Sequence, residues 1–182
     1  MMDIEVLENN NDDDNLISQF IEQSLNGTIY QDPKFLDYHR PDKFSKLEFQ
    51  VKNLFFKKKN KIIAFLPGRI HQEKHDVLVY KSPFASSYGG YVFHPKIKFS
   101  EIEEVLDAAE DVFKSMNISR IEMTPSLICY GINKQGEKLN YLEYILLKKN
   151  YKIDQIDLCL VHKIDHKIDL KSRFNSKIRT EL

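Results

Sequence analysis

Ile102, Val105, Leu106, Ala109, Val112, Phe113 and Met116 recur at three- and four-residue spacing, the period that lines one face of an α-helix. Ser100 and Glu103 precede the run at the spacing of a capping box, and Asn117 can close it. Short apolar stretches flank this helix, Val77 to Tyr80 before it and Ile118 to Met123 after it, and both read as strands. A helix that joins two neighbouring strands makes them parallel, with a right-handed crossover. The chain must therefore build a sheet that contains a parallel pair.

The other elements add antiparallel partners. Ile4 to Leu7 alternates with charged residues and reads as a first strand. Leu16, Ile17, Phe20, Ile21 and Leu25 line a first helix that Asn26 and Gly27 can end, and Asp32 with Pro33 opens a second helix carrying Phe35, Leu36 and Tyr38. Val51 to Phe56 and Lys61 to Ile70 form the arms of a hairpin around the basic turn Lys57 to Asn60, with a bulge or bend expected at Pro67 and Gly68. Leu139 to Leu147 predicts another helix, Tyr151 to Ile164 a long strand, and Leu170 to Leu182 a last helix. The order is β-α-α-β-β-β-α-β-α-β. It predicts an α/β (α+β) fold with a central mixed, mostly antiparallel sheet flanked by helices.

At 182 residues the chain suits one domain, expected over 1–168. Lys plus Arg and Asp plus Glu both number 27, so no net field gathers nucleic acid or an anionic membrane. Cys129 and Cys159 do not make a disulfide framework. The acidic start, MMDIEVLENNNDDDN, is unlike a signal or transit peptide, and no apolar run nears the ~20 residues that span a bilayer. A cytoplasmic protein with no membrane span is expected, and abundant Lys, Asn and Ile points to an AT-rich genome.

Between the strand at 77–80 and the long helix lies SPFASSYGGYVF, residues 82–93. Gly89 and Gly90 can take a positive φ or lie flat against a ligand, and Ser86, Ser87 and Tyr88 place hydroxyls beside that backbone. A tight turn is the plainer reading. His71 with His75 and His162 with His166 have i,i+4 spacing, but neither pair sits on a predicted helix, so no metal is expected. No P-loop, Rossmann fingerprint or nucleophile elbow occurs.

TIYQDPKFLDYH at 28–39, IIAFLPGRI at 62–70, SPFASSYGGYVF and SRFNSKIRTEL at 172–182, in this order of elements, resemble the GNAT acyltransferase fold and, within it, the first half of bacterial FemAB-type aminoacyl and acyl transferases of cell-envelope biosynthesis. The resemblance implies transfer of an acyl or aminoacyl group to an amine of an envelope precursor or amino sugar, with acyl-CoA or aminoacyl-tRNA as donor. It also implies a partner: residues 169–182 look like the start of a helix leading to a second GNAT-like domain, and a homo-oligomer is the alternative. Tyr141 or Tyr144 would protonate the leaving group, and Glu122 would serve as base. Tyr88, Gly89, Gly90 and Ser87 would line the ligand loop, His39 would meet the anionic part of the acceptor, and Arg179, matching the family arginine at the start of the interdomain helix, would join the substrate-binding set. For each there is a plainer reading, as core packing for the tyrosines and solvated surface for the rest. The sequence departs from the pattern at PKIKFS, 95–100, which has no glycine where GNAT enzymes carry a pyrophosphate loop.

Two rival classes stand beside an enzyme. A noncatalytic GNAT-like module would bind an acceptor or partner domain, and a nucleic-acid binder would use Lys57 to Lys61.

Overall fold

The computed structural model of the chain describes residues 4–8, 14–39, 48–83, 86–126 and 141–156, in two units, Met1–Asn150 and Tyr151–Leu182. The first unit runs β1 (Ile4–Glu8), α1 (Asp14–Gln23), α2 (Pro33–Leu36), β2 (Gln50–Val51), β3 (Leu54–Lys58), β4 (Lys61–Leu66), β5 (Arg69–Gln72), β6 (Leu78–Ser82), β7 (Val92–Phe93), α3 (Phe99–Ser115), β8 (Arg120–Met123) and α4 (Tyr141–Lys148). Single 3-10 turns at Ile29–Gln31, Asp37–His39 and Lys74–Asp76 connect them. In the second unit residues 151–156 form neither helix nor strand. The strand expected from Tyr151 is thus absent over its first six positions, where no ladder partner lies alongside and Ile153 and Ile156 stay exposed.

Strands group as β1-β3-β4-β7 and β2-β5-β6-β8, yet the registers show one hairpin running through both groups. Val51 faces Arg69 and Leu54 faces Leu66, so three steps along one arm match three steps back along the other. The Lys52 amide keeps that register by donating to the Gly68 carbonyl at 2.8 Å. The expected bend at Pro67 and Gly68 is a break in both arms. Tyr80 fills it, its hydroxyl reaching the carbonyls of Lys52 (3.1 Å) and Leu66 (3.2 Å), and a side chain at Gly68 would collide with that phenol.

The return arm is interrupted differently. Arg69 faces Lys81, a register that would set residue 85 opposite Phe65; Phe65 instead faces Val92, seven residues later. Residues 83–91 are therefore an excursion from one strand. β8 lies parallel to β6, as the crossover helix requires, with Val79 opposite Arg120 and Ser82 opposite Met123.

The two faces bury different helices. Ile17 and Ile21 of α1 pack with Phe55, Phe65 and Val92. On the other face Tyr80 meets Phe113 of α3, ring centroids 4.5 Å apart. Ile102, Val105, Leu106, Ala109 and Phe113 are all buried, as their spacing requires. The start of α3 is shifted from expectation. The Glu101 carboxylate accepts from the Lys98 amide at 2.9 Å, so Lys98 is the cap and Ser100 lies inside the first turn. Lys58 ties the hairpin turn to that helix through Glu101 (3.3 Å) and Glu104 (2.9 Å), rather than standing free in solvent. Asn117, at φ 56, ends α3 in the left-handed conformation that asparagine tolerates. Among the described residues no helix is long and apolar enough to cross a membrane.

Candidate functional site

The parallel pair parts beyond Ser82. Thr124 donates to the Ser82 carbonyl and accepts from the Gly89 amide, both at 2.8 Å, and Gly89 bridges to Pro125. Three residues on, β7 pairs with β4 and has no strand on its other side among the described residues. Among the described residues this leaves a gap beside β7, the kind of cleft that ligands occupy.

Here the gap is bridged from within. Asn26 is buried; its side-chain nitrogen donates to the Tyr91 carbonyl (2.7 Å) and its side-chain oxygen accepts from the Phe93 amide (2.9 Å). The Leu25 amide donates to the Phe93 carbonyl at 2.9 Å. These three groups of residues 91 and 93 point away from β4, so residues 25 and 26 act as a two-residue substitute strand. By its place in the sequence Asn26 is a helix stop. Nothing local marks its long-range role.

The excursion is stitched to the same connection. Fully buried Gln31 donates to the Gly89 carbonyl at 3.1 Å, while its oxygen accepts from the Thr28 amide and hydroxyl. Tyr30 packs edge-on against Tyr88, centroids 5.4 Å apart, and Ser86 donates to the Tyr88 carbonyl at 2.9 Å. Thr28 and Gln31 have the T-x-x-Q spacing of a capping box, the one local signal that could have found this anchor.

Gly89 and Gly90 are both buried. A β-carbon on Gly89 would overlap Ser82 and Pro83, and Gly90 sits at φ 75. Their amides already donate to Thr124 and to the Ser82 hydroxyl (2.8 Å). The two glycines let the backbone fold back on itself. Ser87 is exposed. His39 ends the 3-10 turn at Asp37–His39, and Arg179 lies outside the described residues.

Glu122 stands on β8 with Lys81 at 3.1 Å and Arg120 at 2.9 Å. Burial alone would raise its pKa; the two cations outweigh that and hold the carboxyl below its usual range. A base so paired is poorly placed to take a proton. Tyr141 is the first residue of α4, and Tyr144, exposed on the same helix, lies 6.2 Å from the ring of Phe99 at the start of α3. Among the described residues no group of three or more His, Cys, Asp or Glu converges as a metal site.

The α3 entrance does not fit the pyrophosphate of coenzyme A. Pro95 has no N–H, and the amides of Lys96, Ile97 and Lys98 are taken by His94 Nδ1 (3.1 Å), His94 O (3.0 Å) and Glu101 (2.9 Å). The Glu101 carboxylate thus occupies the positive end of the helix where an anion would sit. On the edge of β7 the Tyr91 carbonyl and both backbone groups of Phe93 are likewise committed to Leu25 and Asn26.

No family profile and no curated protein match the sequence. Solved structures do. "The crystal structure of a possible acetyltransferase from Clostridium difficile 630" superposes with a TM-score of 0.50 at 13% identity, covering 89% of this chain and 99% of that one. A GNAT family acetyltransferase from Staphylococcus aureus subsp. aureus USA300_TCH1516 superposes with a TM-score of 0.46 at 16% identity, covering 69% and 88%. At such identity the likeness is one of fold: the chain shares a mixed α+β fold, a mixed sheet flanked by helices, with the Clostridium difficile protein.

Proposed function

We propose that this chain is the acceptor-binding half of a FemAB-like, GNAT-fold acyltransferase, serving transfer of an acyl or aminoacyl group to an amine of a cell-envelope precursor or amino sugar. The observation that carries the reading is the bridged gap. Among the described residues β7 has no strand on its outer side, but Asn26 closes that edge and Glu101 caps the α3 entrance. A fold that retains its architecture while shutting the donor side is suited to hold the acceptor, with the donor presented elsewhere. The fold neighbour from Clostridium difficile 630, described as a possible acetyltransferase, supports group transfer as the class of chemistry.

In this reading the amine attacks the acyl carbon, loses its proton to a base, and the leaving group is protonated. Tyr144, exposed beside the first turn of α3, is the proton donor within this chain, with Tyr141 one turn earlier on α4. Tyr88, Ser87, Gly89 and Gly90 shape the wall nearest the acceptor, His39 meets the acceptor's anionic part, and Arg179 belongs to the same substrate-binding set. Aminoacyl-tRNA is the donor class that the closed α3 entrance favours over acyl-CoA.

A panel of amino sugars and lysine-bearing envelope precursors, scored by thermal shift on the full chain, tests the proposal. One acceptor class is expected to raise the Tm; no shift with any of them contradicts it. The second reading is a noncatalytic module that binds a partner protein, favoured by the same closed entrance. It predicts the flat panel.

A further inference from the structure

On the face of the sheet turned away from α3, Arg69, Lys81 and Glu122 stand side by side on β5, β6 and β8, with His71, Val79 and Arg120 in the next row. Most of these charges are matched. Lys81 and Arg120 hold Glu122, and Arg120 also holds Glu73 at 2.7 Å. Two groups are not. Arg69 Nε and His71 Nδ1 are closed to solvent and have no hydrogen-bond partner. The guanidinium of Arg69 lies over the ring of Phe49 at 5.0 Å, and burial lowers its pKa while the charge of Glu122 works the other way. His71 turns Nε2 toward the Glu73 carboxylate at 3.5 Å. A ring nitrogen facing a carboxylate carries the proton, which leaves Nδ1 with a bare lone pair.

A buried donor without an acceptor is costly, and a bound ion is one of the reasons such a group persists. A half-buried guanidinium held over an aromatic ring, with Nε unpartnered, is a receptor for a planar or tetrahedral oxyanion. Arg69 and His71 lie two residues apart on one strand face, about 7 Å along the strand, and their side chains can serve one small molecule.

We propose that Arg69 and His71 form an acceptor subsite, Arg69 taking an oxyanion and His71 Nδ1 accepting from an amine or hydroxyl beside it. The inference rests on the acceptor-binding reading and narrows it: the acceptor carries a carboxylate or phosphate. Glu122 contributes by its pairing, which keeps Lys81 from competing for the ligand at Arg69.

The test uses the full, 15N-labelled chain and follows the arginine Nε–Hε resonance that disappears in Arg69→Lys. Acetate, glycine and inorganic phosphate are titrated separately. Saturable movement of that resonance by acetate or phosphate supports the subsite, and their ranking tells a carboxylate from a phosphate site. Glycine is expected to bind several-fold tighter than acetate, an advantage that falls in His71→Leu because only glycine presents a donor to Nδ1. Arg69→Lys, which keeps the charge and loses the fork, is expected to weaken oxyanion binding about tenfold. An immobile resonance with all three probes overturns the proposal, as does binding undiminished in both Arg69→Lys and Arg69→Gln. An anion response without binding of any envelope acceptor preserves the subsite and removes the wider reading. The reverse pattern does the opposite.

Discussion

Asn26 and Phe93, 67 residues apart, are joined as residues of neighbouring strands are: the Asn26 side-chain oxygen accepts from the Phe93 amide at 2.9 Å, and the preceding amide, that of Leu25, donates to the Phe93 carbonyl at the same distance. The contact decides what the gap beside β7 can admit. It turns an open edge into a closed one without adding a strand.

Asn26→Ala removes partners from two buried backbone groups, the Phe93 amide and the Tyr91 carbonyl. With each orphaned group costing about 1–3 kcal/mol, the expected loss is about 3 kcal/mol, read as a lower urea midpoint with unchanged m-value. Asn26→Asp keeps the acceptor but sets a carboxylate against the Tyr91 carbonyl, and is expected to be no better.

Gly89→Ala and Gly90→Ala separate sterics from backbone conformation. The first drives a methyl into Ser82 and Pro83 and is expected to cost about 1–3 kcal/mol or more as overpacking. The second meets only ordinary contact with Pro125 and pays the left-handed penalty of about 1–2 kcal/mol. Equilibrium unfolding should rank Gly89→Ala as the more damaging wherever the chain cannot shift around the methyl.

Much of this architecture is legible in the sequence, for a physical reason. α3, α1 and the Asp32 cap, which accepts from the Lys34 amide at 2.8 Å, are dictated by contacts within a few residues, and spacing reports such contacts directly. The hairpin register follows from alternation along its arms. What escaped is long-range. Asn26 reads as a helix stop because its partners lie on β7; Lys58 reads as a solvated turn residue because Glu101 and Glu104 come from α3. The two-residue error in the α3 cap has a similar origin. Ser100 and Glu103 match the pattern, but Glu103 is drawn to Lys148 of α4 at 2.6 Å while Glu101 reaches back to Lys98. At the site, the glycine pair was visible; that its amides were already used was not.

Glu101 supplies a pH signature. The Lys98 amide, chiefly, and Lys58 hold its pKa below the usual glutamate value, against the opposing effect of burial. A carboxyl depressed in the folded state contributes stability that is present above the unfolded value, about 4.3, and is lost as the pH falls through the folded one. Wild type is therefore expected to exceed Glu101→Gln by about 0.5–1 kcal/mol at pH 7. That gap should close in acid, as unfolding curves at a series of pH values would record.

Tyr80→Phe keeps the packing on Phe113 and loses the hydroxyl that serves the Lys52 and Leu66 carbonyls at the hairpin break. A cost of about 1 kcal/mol is expected. Hydrogen exchange should quicken at the Lys52 amide before it does in β3, because the break is the weakest point of the arm.

Isothermal titration of acetyl-coenzyme A into the full chain bears most directly on the closed donor side. With Asn26 covering the β7 edge and Glu101 covering the helix start, no saturable heat is expected, and Glu101→Gln should not restore it. A one-to-one isotherm with the wild-type protein, abolished by changes at Lys96 or Lys98, would contradict the account.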